Sequence, residues 1–204
     1  MTVAAFLSVV LIHLAAAISP GPSFVVSVRT AASEGFRVAV ALAFGFGMGA
    51  LLWAGGAMAG LAILFKLVPP LFTALKIVGA LFLLYIAVQM WRHAPEPLAM
   101  AAEGTPPRSA ASAMWFGFVT FASNPKPAIF FGAVFVGLVP PDTPLTWRLA
   151  VLAAVFVNEV GWYILVARVF SLPRARHAYL RLKTGIDRGF GALIAAFGLK
   201  IGLT

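Results

Sequence analysis

The chain has 204 residues, of which 62% are hydrophobic and only 10% are charged. A soluble globular domain carries about 25% charged residues, so this composition excludes a typical soluble enzyme and a disordered chain and predicts an all-α membrane protein. The net charge of +9 would indicate a nucleic-acid partner in a soluble protein. Here we interpret the Lys and Arg residues as signals of membrane topology and expect no nucleic-acid partner. The absence of cysteine excludes disulfides and thiol catalysis.

Six apolar stretches predict membrane-spanning helices. The hydrocarbon core of a bilayer is about 30 Å thick and requires about 20 apolar residues per helix. The predicted spans are Val3–Val28, Val38–Phe65, Leu71–Trp91, Ala110–Val139, Leu149–Val166 and Gly189–Leu203, of which the last is short and can begin earlier, around Thr184. We predict one transmembrane domain over residues 1–204, with repeat halves at 1–92 and 110–204 that are joined by a cytoplasmic linker at 93–109.

Basic residues concentrate in three of the five loops between these spans. The residues concerned are Arg29, Arg37, Arg92, Arg108, Arg168, Arg174, Arg176, Arg181, Lys183 and Arg188. The positive-inside rule places these loops in the cytoplasm and both termini outside, in a bacterial inner membrane. The dense cluster at 168–188 either sets topology alone or also binds anionic lipid headgroups. No Lys or Arg precedes Arg29, so we interpret the first stretch as a retained span and not as a secretory signal.

Two predicted spans are interrupted by a pair of prolines. The first span contains Ser19-Pro20-Gly21-Pro22, and the fourth contains Asn124-Pro125-Lys126-Pro127. Proline removes a backbone donor and disfavours the helical conformation of the residue before it, so each tetrapeptide should break its helix. Neither apolar piece beside the second break can cross a bilayer alone, so the fourth span is one broken helix or a re-entrant hairpin. Non-helical backbone at that depth in the membrane has to be buried in protein or line a polar cavity.

The two breaks occupy corresponding positions, because the first and fourth spans open the two halves of the chain. With three spans per half, a repeated second half is inserted upside down. The pattern therefore predicts six transmembrane helices arranged as two inverted three-helix repeats. Interrupted helices at matching positions of inverted halves indicate the binding site of a secondary transporter. The alternative is a pair of structural proline kinks.

A few polar residues inside the predicted spans are candidates for that site. Lys126 lies at the second break, where a cation suits a substrate carboxylate; the alternative is a lysine that extends to the interface. Glu159, with Asn158, can contact an ammonium group, pair with Lys126 or carry a coupling proton, or it can form a structural hydrogen bond. His13 can relay protons because imidazole titrates near neutral pH, or it can be a packed residue.

The second span is rich in glycine. Gly45 and Gly49, like Gly56 and Gly60, are four residues apart and permit close helix packing. The same spacing suits a sliding interface or a homodimer contact. The three histidines are far apart and the sequence has no phosphate-binding loop of the Walker type, so we expect no metal, no cofactor and no ATP hydrolysis.

The two proline tetrapeptides belong to a pattern that runs through essentially the whole chain. It continues through Ala32-Ser33-Glu34-Gly35-Phe36-Arg37, Phe116-Gly117-Phe118 and Phe190-Gly191-Ala192-Leu193. This pattern resembles the LysE/RhtB family of bacterial amino-acid exporters. The chain departs from the family at Pro127, where many members have Ala or Ser, and this predicts a tighter second break.

The resemblance implies a small substrate, an amino acid or a close analogue, that leaves the cytoplasm in exchange for protons. It also implies that the residues of the two breaks line the central site, namely Ser19, Pro20, Gly21, Pro22, Asn124, Pro125 and Lys126. Glu159 would supply the acid that the family often has in its fifth span. We therefore expect a secondary-active exporter, not an enzyme, that works by alternating access, with Glu159 and His13 coupling transport to protons.

Two other functions fit the composition. One is a non-transporting membrane scaffold or insertion factor. The other, less favoured, is a membrane-embedded enzyme that acts on lipid, for which the sequence offers no cluster of nucleophile, base or metal ligands. A polar cavity between the two breaks would favour the transporter, whereas prolines at the lipid surface would favour the scaffold.

Overall fold

A computed structural model of the protein describes residues 1–18, 21–61, 77, 80–81, 84–85, 87–89, 91–96, 107–135, 139–140 and 142–203. Every regular element within these residues is helical. The elements are α1 (Val3–Ile18), α2 (Pro22–Ser33), α3 (Phe36–Gly56), α4 (Ala110–Ala122), α5 (Pro125–Ile129), α6 (Leu145–Phe170) and α7 (Pro173–Leu203). Wider π-helical turns follow α3, at Ala57–Leu61, and α5, at Phe130–Phe135. Most of the third predicted span lies outside the described residues.

Helix length and composition match several of the predicted spans. Within the described ranges, two helices are long and apolar enough to cross a membrane by themselves, Phe36–Gly60 and Leu145–Phe170. Helices α1 and α2 are bent by 61° with respect to one another and together can form a third, broken span or a re-entrant loop. Helix α4 is apolar but shorter, at 13 residues. The protein is thus helical with apolar spans, and the arrangement as six spans in two inverted repeats stays a prediction.

Both helix breaks fall at the proline tetrapeptides. Helix α1 ends at Ile18, and α2 begins at Pro22, whose missing N–H group is harmless in the first turn of a helix. Helix α4 ends at Ala122, and the Oδ1 atom of Asn124 accepts a 3.0 Å hydrogen bond from the backbone N–H group of Lys126, which caps α5. A proline at the helix start therefore follows each break, and at the second break a side chain also caps the new helix.

Two helices differ from the predicted boundaries. Helix α7 begins at Pro173 instead of Gly189, because residues 173–188 contain strong helix formers such as Ala, Arg and Leu. The charged residues among them lower the hydropathy of this segment, so a search for apolar stretches does not include it in the predicted span. The helical segment after α3 contains Gly60 with φ of 113°, a conformation that residues with a side chain rarely adopt. Gly60 therefore acts through its backbone, by placing a kink in the helical segment that follows α3.

Helices α3 and α4 cross with their backbones in contact. A Cβ atom on Gly45 would lie 2.1 Å from the carbonyl oxygen of Met114, and one on Gly117 would lie 2.3 Å from that of Leu42. Gly49 packs against the Phe121 ring, and Gly56 is half-buried at the end of α3. Glycine is required at the crossing because a side chain of any size would push the two helices apart.

The distribution of polar residues is inverted relative to a soluble protein. Large apolar side chains on the outer surface include Trp115 and Leu145, which are 66% and 70% exposed. His13, Asn124 and Glu159 are buried instead. An apolar exterior and ionisable groups that face the interior are typical of a helical membrane protein.

The segments predicted as basic loops meet at one end of the helices. The guanidinium group of Arg108 pairs with the Glu34 carboxylate, and Arg29 lies beside Asp187 of α7. The Lys183 ammonium group donates to the carbonyl oxygen of His93. These contacts bring the loop after α2, the predicted linker and α7 together, whereas the side of the membrane on which they lie stays a prediction.

Candidate functional site

A cavity lies between the two helix breaks. It has an empty volume of about 370 Å³. Helices α1, α2, α4, α5 and α6 and the π-helical turn after α5 all contribute to its wall. The lining residues are His13, Ala16, Ala17, Gly21, Ser23, Phe121, Asn124, Lys126, Pro127, Phe130, Phe131, Glu159 and Tyr163.

Lys126 connects the second break to the first. Its Nζ atom donates a 2.9 Å hydrogen bond to the carbonyl oxygen of Ala16, in the last turn of α1. In a continuous helix that carbonyl would accept from the N–H group four residues later, but residue 20 is proline and has none. The lysine thus supplies a donor that the first break removes.

Gly21 makes room for the Lys126 side chain. A Cβ atom on Gly21 would lie 3.2 Å from the lysine Cδ and 3.6 Å from its Nζ. The φ of Gly21 is −169°, an extended conformation that any residue can adopt. The glycine is therefore needed for space and not for its backbone freedom.

A hydrogen-bonded group of polar side chains joins both breaks to α6. The Nδ2 atom of Asn124 donates to the Oγ of Ser23 at 3.1 Å, and both residues are buried. The Tyr163 hydroxyl group also forms a hydrogen bond with Ser23. Ser23 and Tyr163 were not predicted as site residues. Ser23 carried a signal in the sequence, since it directly follows Pro22 in the first turn after the break.

Two buried ionisable groups form the side of the cavity opposite this lysine. Glu159 lies close to the middle of α6, and its Oε2 atom is 3.6 Å from the Nε2 of His13 in α1. The His13 ring packs against Phe130 and Phe131. Asn158 lies behind the imidazole, where its Nδ2 donates to the carbonyl oxygen of Val10 at 3.0 Å and lies 3.5 Å from the His13 Nδ1.

The cavity has a basic and an acidic side chain on its wall. Lys126 and Glu159 both line it. Charges inside a membrane are expensive and persist where a partner or a function compensates them. A pocket with one cation and one anion on its wall is complementary to a small zwitterion.

Most of the predicted site residues come together here. His13, Gly21, Asn124, Lys126 and Glu159 all line the cavity. Pro125 begins α5, and Pro22 begins α2 directly beside the lining residue Gly21. Ser19 and Pro20 lie outside the described residues.

One proline at each break faces the protein interior. Pro22 and Pro127 are both buried. The arrangement therefore has the polar cavity that favours a transporter and lacks, at these two positions, the lipid-facing prolines that would favour a scaffold.

The sequence and this architecture define a membrane translocator: the chain belongs to the LysE type translocator family, whose family model matches residues 14–204. Among its relatives are the threonine efflux proteins of Escherichia coli (strain K12) and Salmonella typhi, which are 35% and 34% identical to it over 198 residues, or 96% of each chain. The uncharacterized membrane protein YahN of Escherichia coli (strain K12) is 30% identical over 192 residues, which cover 90% of this chain and 82% of the relative. No solved structure matches the chain.

Proposed function

We propose that this protein exports an amino acid from the cytoplasm across the inner membrane in exchange for protons, by alternating access. The observation that carries the proposal is the presence of Lys126 and Glu159 in one cavity between two broken helices. Relatives that are named threonine efflux proteins support an amino acid as the substrate.

The two charged side chains would bind the two ends of the substrate. The carboxylate of the amino acid accepts hydrogen bonds from the Lys126 ammonium group, which turns from the carbonyl oxygen of Ala16 for this purpose. The substrate ammonium group donates to Glu159. Hydrogen bonds between two charged groups are stronger than the neutral carbonyl contact that they replace. The positive end of the α2 dipole, at Pro22, also favours the carboxylate.

Size and polarity of the cavity favour a small, hydroxyl-bearing amino acid such as threonine. Thirteen residues from five helices and one π-helical turn line this narrow space, which leaves room for a small substrate only. Ser23, Asn124 and Tyr163 offer hydroxyl and amide groups that can exchange hydrogen bonds with a substrate hydroxyl group. Phe121 and Phe131 close the remaining wall with apolar surface.

Proton coupling follows from competition for one carboxylate. Protonation of Glu159 removes the negative charge that holds the substrate ammonium group, so a proton and the substrate exclude each other. His13, 3.6 Å away, is positioned to deliver or accept that proton. Release of the substrate to the outside would then leave Glu159 free to carry a proton inward.

Transport by the purified protein in liposomes tests the proposal. We expect uptake of radiolabelled threonine that is driven by an imposed pH gradient. Removal of a hydrogen bond to a charged group, worth about 1.5–3 kcal/mol, should weaken apparent affinity about 10- to 100-fold in Lys126→Met and Glu159→Gln variants. Glu34→Gln, which removes an acid outside the cavity, is the matched control. Equal transport by all four proteins, or no transport of any amino acid, contradicts the proposal.

The same proposal includes a topology. One transmembrane domain would have its basic segments in the cytoplasm, both termini outside, and its halves related as inverted repeats. Reporter fusions after residues 34, 108 and 204 would measure this directly. Cytoplasmic signal from a fusion at residue 204 contradicts the proposed orientation. Cross-linking in the membrane would reveal a homodimer.

A further inference from the structure

A second cavity runs along α2, from the first helix break toward the basic end of the protein. One face of α2 forms its wall, with Pro22, Val25, Val26 and Arg29 at helical spacing. Tyr85 and Gln89 of the third predicted span stand opposite. The empty volume of this groove is about 570 Å³. Seven helical steps separate Pro22 from Arg29, a distance of about 10 Å along the axis.

The inner end of the groove adjoins the central cavity. Pro22 lines the groove, and its two neighbours in sequence, Gly21 and Ser23, line the cavity with Lys126. A molecule that moves along this face of α2 would therefore arrive at the first break.

Arg29, at the outer end of the groove, belongs to a cluster of charged side chains with two members of α7. Asp187 of α7 is fully buried, and its Oδ2 atom lies 2.9 Å from the Nζ of Lys183 and 3.7 Å from the Nη2 of Arg29. Lys183 also donates to the carbonyl oxygens of His93 and Ala94. Among these three side chains, the carboxylate of Asp187 therefore has a nearer cation than Arg29.

Arg29 is the loosely held member of this cluster. Its side chain is 43% exposed, and 3.7 Å is longer than a hydrogen bond. Within the part of the chain that the structure describes, the buried Nε atom of Arg29 has no hydrogen-bond partner. Lys183 compensates Asp187 at 2.9 Å, so Arg29 can bind another anion without leaving a buried carboxylate unpaired.

We propose that this groove is the cytoplasmic vestibule of the transporter and that Arg29 binds the substrate carboxylate there before it reaches Lys126. The identity of the substrate rests on the proposed function, whereas the preference of the groove for anions does not. A cation at the mouth of a groove with apolar walls raises the local concentration of anions. The two cations would then engage the same carboxylate in succession, one at each end of the α2 face.

Thiol labelling in the cysteine-free chain tests this vestibule. A Val26→Cys variant places a single thiol on the half-buried wall of the groove. The probes are two membrane-impermeant methanethiosulfonates of similar size, one with a sulfonate and one with a trimethylammonium group, applied to inside-out and right-side-out vesicles. We expect labelling from the cytoplasmic side, with the sulfonate reagent about tenfold faster than the cationic one after correction for their rates with a free thiol.

Variants of two arginines distinguish an effect of Arg29 itself on the labelling rates from a general effect of positive charge in the same loop. Arg29→Gln, combined with Val26→Cys, should bring the ratio of the two labelling rates close to one. Arg29→Lys in the same background should retain most of the preference for the sulfonate reagent. Arg37→Gln, which removes an exposed charge from the same predicted loop, should leave the ratio unchanged. A misfolded fraction would also bring the ratio toward one, so the Arg29→Gln variant must in addition keep its labelling confined to the cytoplasmic side and its thermal unfolding close to that of the parent.

Protection by substrate distinguishes the vestibule from the proposed function. Threonine should slow labelling of the thiol at position 26 in the Val26→Cys protein, which keeps Arg29, and not in the variant that also carries Arg29→Gln. If the two reagents label the Val26→Cys protein at equal rates while Arg29 is present, or if labelling from the outside is equally fast, the proposed vestibule is wrong whatever the substrate is. An intact ratio without protection by any amino acid supports the anion site at Arg29 and contradicts the proposed function instead.

Discussion

The Nζ of Lys126 lies 2.9 Å from the carbonyl oxygen of Ala16, so that the cation of one broken helix closes the last turn of the other. The two breaks are therefore a single structural unit. Because this lysine bond replaces the one that Pro20 cannot supply, movement of the lysine toward a substrate would also release the end of α1. Under the proposed function, substrate binding in the cavity and a change of helix geometry would therefore be coupled through this one side chain.

The first prediction concerns the space that Gly21 leaves for this lysine. Gly21→Ala adds a methyl group 3.2 Å from the lysine Cδ, which displaces the ammonium group from its place in the cavity. We expect transport of threonine to fall by about 10-fold or more, in line with the effect of small misplacements in a site. Gly55→Ala is the matched control, since a Cβ there has no neighbour within 4 Å. Equal transport by the two variants would show that the glycine contact is irrelevant.

Substrate choice is the subject of the second prediction. Tyr163→Phe and Ser23→Ala each remove a hydroxyl group from the hydrogen-bonded group at the cavity wall. We expect the preference for threonine over valine to fall by about 10-fold, equivalent to roughly 1.4 kcal/mol, while valine transport stays similar. The measurement is competition for labelled threonine in liposomes. Ser8→Ala, which removes an exposed hydroxyl group in α1, is the control. A proportional loss for both substrates would point to a structural role instead.

The third prediction tests the crossing of α3 and α4. Gly45→Ala should destabilise the protein by about 1–3 kcal/mol, because the new methyl group would lie 2.1 Å from a backbone carbonyl oxygen. Gly161→Ala, at an open position in α6, should instead be neutral or stabilise by roughly 0.5–1 kcal/mol. Thermal unfolding in detergent measures both. If Gly45→Ala were as stable as the parent, the close backbone contact would be wrong.

A fourth prediction uses the ion pair at the basic end. The hydrogen bond from Arg108, at 2.9 Å from its Nε, holds the pKa of the Glu34 carboxyl group below its usual value of 4.5. A carboxyl group with a lowered pKa in the folded state stabilises the protein above its unfolded pKa, and this contribution is lost as pH falls through the folded pKa. Because the pair is only partly buried and remains in contact with solvent, its removal should change stability by less than about 1 kcal/mol.

The pH dependence of two variants checks this ion pair. Glu34→Gln and Arg108→Gln should both unfold at a slightly lower temperature than the parent at pH 7. The difference should disappear in acid, once Glu34 is protonated in the parent as well. A constant difference between pH 7 and about pH 3 would contradict the assignment, because ordinary carboxyl groups are mostly protonated there. High salt should also reduce the difference at neutral pH.

The main features of the site could be predicted because proline chemistry is local. A Pro-x-Pro sequence breaks a helix whatever its surroundings, and an ionisable residue in an apolar span has few explanations other than function. Gly21, Asn124, Lys126 and Glu159 were therefore predicted as site residues and line one cavity. The helical nature of the chain followed from composition in the same way.

Features that depend on packing between distant segments could not be predicted. Tyr163 looks like an ordinary aromatic residue of an apolar helix, and only the fold brings its hydroxyl group to Ser23. Asp187 lies in a stretch that reads as a charged loop, yet it is fully buried because α7 begins at Pro173 and packs beside α2. Its spacing of four residues from Lys183 was the available signal, since such pairs meet on one helix face.

The contact between Gly45 and Gly117 also limits how the cavity can open. These residues come from different halves of the chain, and their backbones touch with no side chain between them. A contact this close leaves no slack for α3 and α4 to separate. Under the proposed alternating access, the two helices would therefore move as one unit, and the short helices at the two breaks would move relative to them.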